Sequence, residues 1–220
     1  MPLVVKNLII INALFFLARY TLASTLNIDL NSVLGLYYYN SPEFNPYQLI
    51  SYMFMHGGFS HIFFNMFALW MFGTQIENLW GPKRFLNYYL ITGFGAAFLH
   101  YLIIHFQISG LESYFTSNQI SEIVNSGAFN PSSPLFSKAR MLYGLHHTPV
   151  VGASGAVFGL LLAYGMTYPN QIIYLNLLFP IKAKYFVIIY GLLEFFMGVQ
   201  NGAGDNVAHF AHIGGMLFGF

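Results

Sequence analysis

Apolar runs close to twenty residues long recur through most of this chain, with polar turns and loops between them. A helix rising roughly 1.5 Å per residue needs about 20 apolar residues to cross hydrocarbon. The runs therefore constrain the chain to an all-α, polytopic bundle of membrane helices. Charge usage agrees: 7% of residues are charged and 56% hydrophobic, with a mean hydropathy of +0.58, whereas a soluble domain is about a quarter charged. A net charge of +1 gives no reason to expect a nucleic-acid partner, and the absence of cysteine excludes disulfides and thiolate chemistry.

The 220 residues accommodate six spans and no separate soluble domain. The first is Leu3–Leu22, retained because no small-residue cleavage site follows it. Lys6 and Arg19 lie near its ends, where long side chains snorkel. The second runs from Leu49 to Thr74, Gly81-Pro82 forms a turn, and the third runs from Phe85 to Phe106. Ser, Asn, Gly and Pro then mark residues 107–149 as an extramembrane insert with room for a short helix. Val151–Tyr168, Tyr185–Val199 and Val207–Phe220 complete the set, with Pro169 and Pro180 bracketing the hairpin between the fourth and fifth. The sixth span has 14 residues before the sequence stops, so it reads as short or truncated. Tyr37, Tyr38, Tyr39, Trp70 and Trp80 read as interface anchors.

Lys6, Lys83, Arg84, Lys182 and Lys184 fall on one side of a six-span bundle. The positive-inside rule makes that side cytoplasmic, with the N-terminus there, in an integral protein of the cell (inner) membrane. Spans four and six then both enter from the outer face. Ser154 and His212 lie a turn or two below it, and polar groups at such depth mark function. Gly155, Gly159 and Ala163 recur every four residues on one helix, and Ala211, Gly215 and Gly219 do so on the other. Small residues at this spacing let backbones approach in lipid, bringing Ser154 and His212 within reach of each other.

A serine hydroxyl needs a base to take its proton, and neutral imidazole is the usual one near pH 7. The nearest acid to His212 in the sequence is Asp205, two turns away, so the pair reads as a dyad. On the second span His61 and Asn65, four apart, share a helix face. With the Ser154 backbone N–H they are candidate donors to the oxyanion of a tetrahedral intermediate. His56 sits higher and orders a loop or a water. His209 is assigned to the cavity wall, His100 and His105 to satisfied interior positions, and Glu194, near mid-helix, to a hydrogen-bonded or protonated structural role.

These residues resemble the rhomboid intramembrane serine proteases. The resemblance rests on His56 with His-Ile-Phe-Phe-Asn at 61–65, Glu77 with Gly81, Gly-Ala-Ser-Gly at 152–155 and Ala-His-Ile-Gly-Gly-Met-Leu-Phe-Gly at 211–219. It implies a six-helix domain over residues 1–220 with a water-filled cavity open to the outside. Ser154 would be the nucleophile, His212 the base, and His61 and Asn65 would surround the oxyanion. The substrates would be transmembrane segments of other proteins in the lipid bilayer. Phe158 matches an aromatic that packs on the catalytic imidazole, and Gly152 joins His56, Phe158 and His209 in cavity or loop support. Asn45-Pro46-Tyr47-Gln48 stands where the family more usually has Trp-Arg or Trp-Gln, which bears on loop anchoring rather than chemistry. The insert is not a general family feature.

No cofactor or metal is expected. Eight histidines raise a rival, a histidine-based metal transporter or metalloenzyme using His56, His61, His209 and His212. It lacks His-Glu-x-x-His and leaves the Ser154 motif unexplained. A catalytically dead escort of membrane proteins is the other rival, and the intact Ser154 and His212 oppose it.

Overall fold

The computed structural model describes residues 1–175, 179–200 and 208–220. Helix α1 (Leu3–Leu26) ends at Asn27, whose left-handed backbone (φ 55°) stops the helix. The short α2 (Leu30–Leu34) follows, with Asp29 accepting the Asn31 N–H at its start. The second span is not one helix from Leu49. It opens with α3 (Gln48–Ser51) and a 3₁₀ turn (Tyr52–Phe54), is extended at Gly58 (φ −171°), and resumes as α4 (Phe59–Ala68). The physical reason is Gly57-Gly58, a pair that costs helix stability and caps rather than propagates. A π segment (Leu69–Gly73) carries α4 into α5 (Thr74–Trp80).

Gly81 (φ 78°) turns the chain and Pro82, at the first helical position, opens α6 (Pro82–Glu112). This helix runs past residue 106 into the stretch read as insert. The insert itself holds two helices rather than one. In α7 (Ser117–Ser126) Thr116 and Gln119 form a capping box, and α8 is Phe136–His147. Ile104 and Ile108 of α6 pack with Ile123, Ala139, Leu142 and Tyr38 in a core separate from the main one.

Helix α9 (Ser154–Thr167) leads to a short antiparallel pair, β1 (Ile172–Leu175) and β2 (Phe179–Lys182), with Ile173 opposite Ile181 and Tyr174 opposite Pro180. The all-α reading thus misses one small hairpin, built where β-branched isoleucines and an extended proline favour strand. Then come α10 (Ala183–Gln200) and α11 (His209–Gly219). Helices α1, α6 and α10 are long and apolar enough to cross a membrane. Their outward faces expose Leu14, Leu17, Ile188, Leu192 and Phe196, as lipid-facing helices do.

The small residues decide the packing. A Cβ on Gly215 would land on the Gly155 backbone, and one on Gly159 would lie 2.5 Å from Thr92 and 2.9 Å from the Gly215 carbonyl. The ridges of α9 and α11 therefore meet in near backbone contact, with α6 beneath both. At the far end the Tyr88 hydroxyl lies 2.8 Å and 2.9 Å from the carbonyl oxygens of Gly159 and Gly219.

On the other flank the buried Glu77 carboxylate accepts the N–H groups of Val4 and Val5, at 2.8 Å each. It satisfies first-turn donors of α1 that have no helical partner and sets a negative charge at that helix's positive end. Tyr37 and Tyr38 are buried rather than interfacial, because the loop folds over α6 and the Tyr101 hydroxyl donates to the Tyr37 carbonyl at 2.6 Å. Tyr39 and Trp70 are exposed.

Candidate active site

Ser154 is the first residue of α9. Gly152 leads into it with φ 130°, a conformation L side chains avoid, and a Cβ there would lie 2.8 Å from His61 Nε2. Both facts require glycine. The preceding segment is clamped: Gly152 N–H donates to the Tyr52 carbonyl at 2.9 Å, and Leu36 and Val150 exchange backbone hydrogen bonds of 2.8 and 2.9 Å. The first intrahelical bond of α9 is Val157 N–H to Ala153 at 3.0 Å. The N–H groups of Ser154, Gly155 and Ala156 therefore face out of the helix start.

His212, in the first turn of α11, brings Nε2 to 2.8 Å from Ser154 Oγ. The Phe158 ring, one turn along α9, stacks on it at 4.3 Å and 9° and fixes its plane. The other ring nitrogen, Nδ1, lies 2.8 Å from Glu194 Oε2 of α10. This corrects the reading that His212 has no acid beside it. Asp205, the acid closest in sequence, lies outside the described residues, as does Val207. His209 Nδ1 is 2.7 Å from the same Glu194 oxygen.

His61 and Asn65 stand on α4, across from the α9 start. The Gly57 N–H donates to His61 Nδ1 at 3.3 Å. An accepting Nδ1 leaves Nε2 to carry the ring proton, and Nε2 is the atom that faces Gly152. Asn65 is buried and donates through Nδ2 to the His61 carbonyl at 2.9 Å. The buried His56 ring sits 5.0 Å from that of His61, edge to face.

Arg19 does not snorkel: its Nη1 donates to the carbonyls of His56 and Gly57 at 3.0 Å each and so pins the turn before α4. Tyr47 and Gln48 do anchor the loop. The Tyr47 hydroxyl and Gln48 Nε2 each donate to the Val33 carbonyl at 3.2 Å, and Gln48 Oε1 accepts the Asn45 N–H at 3.1 Å.

Among the described residues, Glu194, His209 and His212 form a group that could hold a metal ion, their ligand atoms all within 4.8 Å. His56 and His61 are not part of it. His105 is used elsewhere, with Nδ1 3.0 Å from the Tyr38 hydroxyl. The sequence reading missed the place of Glu194; the available signal was an acid on an otherwise apolar helix.

The Rhomboid domain family model covers residues 43–220. RHOMBOID-like protein 12, mitochondrial, of Arabidopsis thaliana is 31% identical over 76% of this chain and 42% of its own length. Rhomboid protease GluP of Bacillus subtilis (strain 168) is 28% identical over 79% of this chain and 25% of its own length. For Rhomboid protease AarA of Providencia stuartii the figures are 28%, 76% and 51%. This chain thus spans about half or less of the length of these relatives. From its apolar helices and the match to the family model over most of its length, the chain is an integral membrane protein that belongs to the rhomboid family.

Proposed function

We propose that this chain is an intramembrane serine endopeptidase that cleaves transmembrane segments of other membrane proteins. The observation that carries the reading is the 2.8 Å contact between Ser154 Oγ and His212 Nε2 at the start of α9. His212 takes the hydroxyl proton while Ser154 attacks the scissile carbonyl. His61 Nε2–H, the Asn65 amide and the Ser154 N–H meet the negative oxygen that develops. Two relatives named as rhomboid proteases support protease activity.

In this reading α1, α4 with α5, α6, α9, α10 and α11 are six spans of one membrane domain, with α7 and α8 outside on the insert. The Glu77 contact with Val4 and Val5 brings the start of α1 to the turn between α5 and α6. Lys6, Lys83 and Arg84 therefore gather at one end, which supports a cytoplasmic N-terminus by the positive-inside rule. The assigned location is the cell membrane.

A peptide bond inside a stable helix is shielded by its own hydrogen bonds, so the substrate must unwind locally before attack. Cleavage of single-span reporters in liposomes by wild type and Ser154→Ala tests the reading. Wild type is expected to cut near the outer end of the reporter span, faster when Gly or Pro lies near the scissile bond, while Ser154→Ala is silent. Cleavage that survives Ser154→Ala refutes it.

A further inference from the structure

We propose that Glu194 is the positioning residue for His212, so that Ser154, His212 and Glu194 act as one line of hydrogen bonds. The inference rests on the reading of Ser154 and His212 as nucleophile and base. An ionised carboxylate only accepts, so the 2.8 Å contact of Glu194 Oε2 with His212 Nδ1 requires the proton on Nδ1. That leaves Nε2 bare, 2.8 Å from Ser154 Oγ and ready to accept its proton. The opposite tautomer would place N–H against the hydroxyl and could not act as base.

The carboxylate is itself held. Oε2 lies 2.7 Å from His209 Nδ1, one turn before His212 on α11, so two rings of one helix fix one oxygen of α10. The Glu194 side chain is only 14% exposed, and it ends on two imidazoles. An acid on an apolar span is costly unless it is partnered. Among the described residues, its partners His209 and His212 both belong to the helix that carries the base.

The step balances without any further reagent. The Ser154 hydroxyl proton moves to His212 Nε2, the oxygen pair forms a bond to the substrate carbonyl carbon, and the carbonyl π pair moves to its oxygen. As the tetrahedral intermediate collapses, the C–N bond breaks and the Nε2 proton goes to the departing amine. Glu194 stays ionised throughout; it orients the ring and opposes the positive charge that the ring carries between the two transfers.

The test uses the full chain in liposomes with a single-span reporter, reading kcat and KM separately for wild type, Glu194→Gln and Glu194→Asp. An amide can offer its NH₂ to Nδ1 and select the wrong tautomer. Glu194→Gln is therefore expected to lower kcat by about 10²- to 10³-fold with KM within about twofold. Glu194→Asp is expected to recover at least about tenfold of that loss, because it restores the charge. Fluorophosphonate labelling of Ser154 should slow in step with kcat, and wild-type cleavage should be indifferent to EDTA.

A Glu194→Gln enzyme with unchanged kcat, a loss confined to KM, or wild-type activity that needs a metal ion overturns the proposal. If the variants fail to fold, ¹⁵N-histidine NMR of wild type decides instead: a proton on His212 Nδ1 is expected, and one on Nε2 overturns it. Ser154→Ala separates the two levels. Cleavage surviving in Ser154→Ala defeats the proposed function, whereas a silent Ser154→Ala beside a fully active Glu194→Gln defeats the positioning role alone.

Discussion

Among the described residues, two of the histidine–carboxylate pairs stand at the same separation and in opposite circumstances. His212 Nδ1 lies 2.8 Å from Glu194 inside the bundle, and His147 Nδ1 lies 2.8 Å from Glu43 where the insert meets the loop before α3. The difference is at the far ring nitrogen. Nε2 of His147 is taken up by the Val124 carbonyl at 2.7 Å, and Tyr143 covers the ring at 4.1 Å, so that imidazole ties α7, α8 and the loop together. Nε2 of His212 instead faces a serine hydroxyl. Solvent separates the pairs further: the Glu43 side chain is 40% exposed against 14% for Glu194. What a His–Glu contact can do is thus set by what the second nitrogen meets and by how much water screens the pair.

The sharpest way to break the comparison is to remove the unit itself. On the proposed roles, Ser154→Ala, His212→Ala and the double substitution should each lower turnover by about 10⁴- to 10⁶-fold, and the double loss should be little larger than either single one, because a base without its nucleophile does nothing. A double-mutant cycle of cleavage rates checks this; losses that add would mean the two side chains do not work together.

Next in size come the groups across from the helix start. His61→Ala and Asn65→Ala should each cost about 10²- to 10³-fold in kcat with KM nearly unchanged, since the oxyanion charge they are proposed to meet would exist only in the transition state. Steady-state kinetics on the same reporter read this directly, and a rise in KM at constant kcat would assign them to binding.

The smallest effect belongs to the outer pair. Burial works against the charged Glu43 carboxylate, but hydrogen bonds from Ser41 and His147 and the charge of His147 outweigh it and hold Glu43 below the usual carboxylate range. A depressed folded value means that the stability it contributes is present above the unfolded value of about 4.3 and is lost as pH falls through the folded one. With so much solvent around Glu43 the contribution is under about 1 kcal/mol. Glu43→Gln should therefore leave kcat within about twofold at neutral pH while protection against amide exchange in residues 117–147 falls, and acid should lower the protection of the wild type, relative to its intrinsic exchange rate, in the same way. Hydrogen exchange followed by mass spectrometry measures both, and a large loss of turnover in Glu43→Gln would erase the distinction between the pairs.

How much of this was legible beforehand depends on the range over which each signal acts. The contact of α9 with α11 is written in the four-residue spacing of Gly155, Gly159 and Ala163 against that of Ala211, Gly215 and Gly219, because small residues on one face leave two helices little choice but close approach. The break before α4 was present in Gly57-Gly58, yet the apolar run from Leu49 to Thr74 overrode it in the reading. Arg19 looked like an end-of-span anchor, and nothing local could show that it folds back onto the His56 and Gly57 carbonyls.

The sequence by itself determined that the chain is a set of apolar helices and that Ser154 and His212 adjoin small-residue faces that pack together. These properties follow from local composition and from a period of 3.6 residues, which need no knowledge of the neighbours. Only the tertiary structure decided that Glu194 lies against His212, that Glu77 caps α1 and that His147 clasps Glu43. Each of those contacts joins side chains of different elements, and whether they meet depends on how each helix is rotated and how deep it sits, which packing sets and no stretch of sequence encodes alone.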